Sequence, residues 1–134
     1  MASTKKATIK ITRINASMPD SRNRVTGRYI RYYTFKTFVD HKGRKTYYLN
    51  DKETTKDAGN NIFKEIRQYG KNIERTDSSE EVTYEELIRR LESSIDLYVE
   101  YIDDGRQYRE ACAHNDKINA EISKLRSLML ESEG

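Results

Sequence analysis

The spacing of apolar residues changes once along this chain, and that change constrains the fold more than any motif. Up to Leu49 apolar and polar residues alternate in short runs, the period of a half-buried strand. From Tyr84 onward they recur every three or four residues, the period of an amphipathic helix. A chain that keeps strands and helices apart in this way belongs to the α+β class.

The segment Ala7-Thr8-Ile9-Lys10-Ile11-Thr12 predicts a strand with Ala7, Ile9 and Ile11 facing inward. Residues 15–27 read as a loop, punctuated by Asn15, Pro19, Asp20, Asn23 and Gly27. Residues 28–39 are rich in Tyr, Phe, Thr and Val and predict a second strand. A loop at Lys42-Gly43-Arg44 leads to a third strand over residues 45–50. That hairpin sets Phe35, Thr37 and Val39 on one face with Tyr47 and Leu49. The other face then carries Arg28, Tyr32, Lys36 and Tyr48. A short helix follows, with Ile62, Phe63, Ile66 and Tyr69 at helical spacing and Gly70 as its stop.

The polar run 76–83 reads as a linker. Thr83, with Glu86 three residues on, marks a helix start. An apolar stripe then runs from Tyr84 to Ile102, Asp103-Asp104-Gly105 breaks it, and a second stripe follows through Ile118, Ile122 and Leu125. The expected fold is therefore α+β: a small antiparallel three-stranded sheet with one short helix, then a C-terminal helical hairpin or one long helix. The expected domains are a basic β-rich domain over 1–75, a linker over 76–83 and an acidic helical hairpin over 84–132.

Charge follows the same division. Up to Arg75 there are 18 Lys and Arg against 7 Asp and Glu, a net of +11; the remainder holds 7 against 15, a net of −8. The overall +3 conceals a basic half that favours an anionic partner. The basic residues are interleaved with tyrosines. Phosphates attract cations, and unstacked bases need flat aromatic faces. The expected nucleic-acid or anionic-ligand contacts are Arg22, Arg24, Arg28, Arg31, Tyr32, Lys36, Lys42, Arg44, Lys45 and Tyr48. DNA and RNA are not distinguished. The strand–strand–strand–helix order over residues 7–70 is similar to that of the arm-binding domains of tyrosine recombinases, a likeness that implies a sheet laid in a major groove.

Apolar material is scarce, at 35% of residues, and ten of those are Tyr. A chain so polar completes its core by self-association in many cases. A homo-oligomer interface is expected at Leu87, Leu91, Ile95, Ile118, Ile122 and Leu125.

Catalytic signals are missing from the pattern. Neither His41 nor His114 has a second ligand at metal spacing, so no metal and no cofactor are expected. Cys112, the single cysteine, reads as a structural thiol on an apolar stripe and permits no intrachain disulfide. Adjacent carboxylates such as Glu85-Glu86 point about 100° apart on a helix and do not converge. No apolar stretch reaches membrane-spanning length, and a cytoplasmic location is expected, host cytoplasm included if the chain is viral. The leading expectation is a non-enzymatic nucleic-acid-binding protein. The alternative is a phage or mobile-element anti-defence protein. It would inhibit a host protein partner such as a CRISPR effector, or sequester a nucleotide signalling molecule.

Overall fold

The computed structural model describes residues 5–95 and 102–131. The fold is α+β, but among the described residues the sheet has five antiparallel strands rather than three. Three helices accompany it there, rather than one short helix and a hairpin or long helix. The strands are β1 (Lys6–Pro19), β2 (Arg28–Val39), β3 (Lys45–Leu49), β4 (Lys52–Thr54) and β5 (Lys71–Thr83). The helices are α1 (Lys56–Tyr69), α2 (Tyr84–Glu92) and α3 (Gly105–Leu130). Strand order across the sheet is β4-β3-β2-β1-β5. The strand–strand–strand–helix order behind the recombinase likeness is thereby replaced. The described residues form two compact units, one of residues 8–81 and the other of residues 5–7 with those from 82 onward.

In the first unit β1 and β2 pair continuously from Thr8↔Val39 to Pro19↔Arg28. Directly opposed residues share a face, so Ile14, Ala16 and Met18 lie beside Tyr33, Arg31 and Tyr29. The core forms there, where α1 lays Ile62, Phe63 and Ile66 against Ile14, Ala16, Met18, Tyr33 and Phe35. The Phe35 and Phe63 rings stack with centroids 4.1 Å apart. Ile9 and Ile11, expected to face inward, lie on the opposite face, because the inward set belongs to the even positions of a longer strand. The loop expected over 15–27 is shorter, since β1 continues to Pro19, which closes the strand where its missing N–H costs no ladder bond.

The turn from β1 to β2 is organised by Asn23, whose Oδ1 accepts the N–H groups of Val25 and Thr26 while its Nδ2 donates to the Arg28 carbonyl. The second hairpin is broader than a three-residue loop: Val39 pairs with Lys45, and Gly43 at φ 82° turns the chain. The shift is even-numbered, so the two faces keep the expected sets. Asn50 and Asp51, both left-handed at φ 49° and 67°, then make a tight turn into β4. Thr55 caps α1 by accepting from the Ala58 N–H at 3.1 Å. Gly70 ends α1 in an extended conformation, not a left-handed one. A Cβ there would meet the Ile66 carbonyl oxygen at 2.5 Å, so close approach is what requires glycine.

Residues 76–83 are not a linker; they belong to β5, an edge strand whose residues 71–81 are all exposed. With no buried face, it leaves no alternating apolar pattern.

In the second unit Thr83 Oγ1 accepts from the Glu86 N–H at 3.2 Å and starts α2 as expected. The helix stops at Glu92, well short of Ile102, where the Ser93 and Ser94 hydroxyls both donate to the Arg90 carbonyl. Tyr98 and Val99, expected on the same stripe, lie outside the described residues. Gly105, expected as a stop, is instead the first residue of α3, and Asp104 caps it by accepting from the Arg106 and Gln107 N–H groups. The helices α2 and α3 pack together, and the unit's buried side chains include Ala7, Val82, Tyr84, Ile88, Ile118, Ile122 and Leu125.

Candidate nucleic-acid interface

Helix α1 covers one face of the first unit's sheet. On the opposite face the register sets Ile11, Lys36 and Tyr48 side by side across β1, β2 and β3, with Arg13 beside Thr34 and Asn15 beside Tyr32. The Lys36 ammonium lies 4.7 Å from the Tyr48 ring centroid. Tyr32 is 71% exposed and Ile30, two residues before it, 62%. Arg13 is exposed as well. Two cations, two tyrosines and two isoleucines thus occupy one strip on the face opposite α1. Arg13 is absent from the expected contacts because the alternation over 7–12, continued past Thr12, puts it with Ile9 and Ile11 on the side expected to face inward. Only the corrected parity of β1 brings it to the open face.

The other expected contacts are dispersed. Arg31 and Lys45 stand on the α1 side, Arg22 and Arg24 in the β1–β2 turn, and Lys42 and Arg44 in the β2–β3 turn. Several are held by internal partners. Arg22 binds Asp20 through Nε and Nη2, the latter at 2.6 Å, and Arg31 reaches the same carboxylate at 3.2 Å. Arg22 also sits 5.9 Å from the Tyr29 ring centroid. The Arg22 guanidinium and N–H, with help from Arg31, hold the Asp20 carboxyl far below the usual carboxylate range, and Asp20 in turn raises the Arg22 guanidinium.

Arg44 donates to Asp40 at 2.6 Å, and Asp40 also accepts the Lys42 and Arg44 N–H groups, each at 2.9 Å. Burial pushes the Asp40 carboxyl up, yet the bonds from Arg44 and Lys42 outweigh it and leave the group below its ordinary value. Arg28 is a brace, donating to Ser17 Oγ and to the carbonyls of Ser17 and Tyr69. On the covered side burial raises the Tyr33 hydroxyl.

Among the expected interface residues on the helices, Ile118, Ile122 and Leu125 are buried in the second unit, while Leu87, Leu91 and Ile95 are half-buried. His114 Nε2 is 3.0 Å from the Ser94 carbonyl oxygen, and Cys112 is a half-buried free thiol. Among the described residues no group of His, Cys, Asp and Glu converges to hold a metal ion, and no helix is long and apolar enough to cross a membrane.

Comparison with protein-family models, curated proteins and solved structures finds no match to the chain.

Proposed function

We propose that this chain binds single-stranded nucleic acid without catalysing a reaction, through the uncovered sheet face that carries Arg13, Tyr32, Lys36 and Tyr48. One observation carries the reading. Tyr32, 71% exposed, stands on the sheet face opposite α1 with Arg13 and the Lys36–Tyr48 pair. Open tyrosine faces suit unstacked bases, and cations beside them suit the phosphates that join those bases. The excess of +11 up to Arg75 draws a polyanion to this half. The aspartate-bound arginines of the two turns flank the strip and fix its shape, while Arg24 and Lys45 extend the positive field.

Binding through such a face falls with salt as condensed counterions are released. Engaging about four phosphates gives a slope of log affinity against log salt near −3 for single strands. Fluorescence anisotropy with a labelled single-stranded oligonucleotide, titrated between 50 and 300 mM salt, reads that slope. No binding at low salt would sink the proposal and favour a protein partner, and tight binding with a flat salt response would overturn the phosphate contacts assigned to this face.

A further inference from the structure

The free edge of the sheet is long and self-complementary. β5 has 13 residues and one neighbour, β1, whereas the opposite edge, β4, has three. Edge strands of this length template pairing with another chain unless they are shortened, bent or guarded by charge. The charges on β5 are of both signs: Lys71, Glu74 and Arg75 lie in its first half, Asp77, Glu80 and Glu81 in its second.

Arg75 and Asp77 are already positioned. Arg75 Nε donates to Asp77 Oδ2 at 3.0 Å, its guanidinium lies 5.8 Å from the Phe63 ring centroid, and Asp77 accepts from Thr12 Oγ1 at 2.5 Å. Asn72, at φ 52°, kinks the start of the strand, so the regular run begins at Ile73.

We propose that β5 pairs antiparallel with β5 of a second copy of this chain, about a twofold axis at Thr76. In that register Arg75 of each copy faces Asp77 of the other, and Ile73 faces Ser79. Moving the axis by one residue sets Arg75 against Arg75 or Asp77 against Asp77, and moving it to Glu74 opposes two glutamates. Opposed opposite charges favour a strand pair and opposed like charges disfavour it. The register about Thr76 meets this with Arg75 against Asp77, and a register about Ser78 meets it with Arg75 against Glu81. A cysteine at position 76 faces itself only in the first. A residue-centred axis keeps each residue on its own face. Both copies of α1 then lie on one side, and the two uncovered faces join into one surface. The pairing stands on the charge pattern of β5 and holds whether or not that surface binds nucleic acid.

Light scattering coupled to size exclusion at tens of micromolar should give twice the chain mass of 15.8 kDa. Arg75→Glu sets acid against acid at both symmetric positions and should weaken the dimer about tenfold. The double variant Arg75→Glu/Asp77→Arg should restore it. Thr76→Cys in a Cys112→Ser background should oxidise to a covalent dimer, because cross-strand partners lie within disulfide reach. Thr76 is exposed, so this variant reports even if the charge reversals fail to fold. A monomer at every concentration, or a dimer in which Thr76→Cys does not cross-link, would overturn the proposal. The second result would place the contact elsewhere, in the register about Ser78, on the helices or with a different strand.

Discussion

Lys36 and Tyr48 are direct cross-strand partners, and the ammonium of the first sits 4.7 Å from the ring centroid of the second. The pairing sets both side chains on the sheet face opposite α1. A cation over a half-buried tyrosine such as Tyr48 contributes about 0.5–2 kcal/mol. Tyr48→Ala should lower stability by about that amount plus the lost ring contact, whereas Tyr48→Phe, which keeps the ring, should leave it almost unchanged. Urea melts of the two variants decide this. Equal losses would mean that the hydroxyl, not the ring, holds Lys36.

Tyr32 and Arg13 separate the two components of the proposed binding. Tyr32→Ala should weaken single-strand binding by about 1–3 kcal/mol with little change in salt slope, because a stacked base is lost and no phosphate contact. Arg13→Ala should instead lessen the slope by about one unit. Arg28→Ala should reduce stability more than it alters the slope, since its guanidinium is held by Ser17 and Tyr69. Salt titrations of all three, beside their melting curves, distinguish a binding face from a merely polar one.

Ile66 is the buried centre of the contact between α1 and the sheet. Ile66→Ala should cost about 2–5 kcal/mol, as large-to-small changes in cores do. Gly70→Ala should be costly too, by about 1–3 kcal/mol, because the new methyl must displace the last turn of α1 from Ala16. A neutral Gly70→Ala in chemical denaturation would show that this turn yields freely.

The parts of the fold legible in the sequence are those with one wet face and one dry face. β2 and β3 were legible from their Tyr, Phe, Thr and Val content and the glycine turn between them, and the parity of Tyr32, Lys36 and Tyr48 followed from that hairpin. Thr83 announced α2 because an N-cap needs a side-chain oxygen at a fixed offset. β5 was illegible for the opposite reason: Lys71 to Glu81 is exposed throughout, so period two leaves no mark on its hydropathy. The early end of α2 was hidden as well, since Ser93 and Ser94 break a helix through hydroxyl bonds to a carbonyl and not through Gly or Pro. At the candidate site, positive charge was visible but its partners were not. Asp20 with Arg22, and Asp40 with Arg44, stand at spacings where a turn brings the groups together, and those spacings were a usable signal.

Those clasps give the last prediction, a dependence on acid. Arg22 keeps the Asp20 carboxyl far below its ordinary value of 3.8. Arg75, and then Thr12, lower Asp77, and Asp40 is lowered by its bonds to Arg44 and Lys42 despite its burial. A carboxylate depressed in the folded state stabilises the fold fully above its unfolded value. As pH falls past about 4 the unfolded chain takes up the proton first, so stability declines until the folded carboxyl itself protonates. Melting temperature should therefore hold between pH 7 and 5 as far as these groups decide it, then drop from pH 4 to 2.5. Asp20→Asn keeps an acceptor for the Arg22 N–H but carries no charge. It should melt below the wild-type chain at pH 7, show a shallower drop below pH 4, and approach the wild-type curve at the acid end. Parallel curves at all pH values would mean that the Arg22 and Arg31 contacts to Asp20 contribute no charge-dependent stability, and that the turn rests on the Asn23 bonds alone.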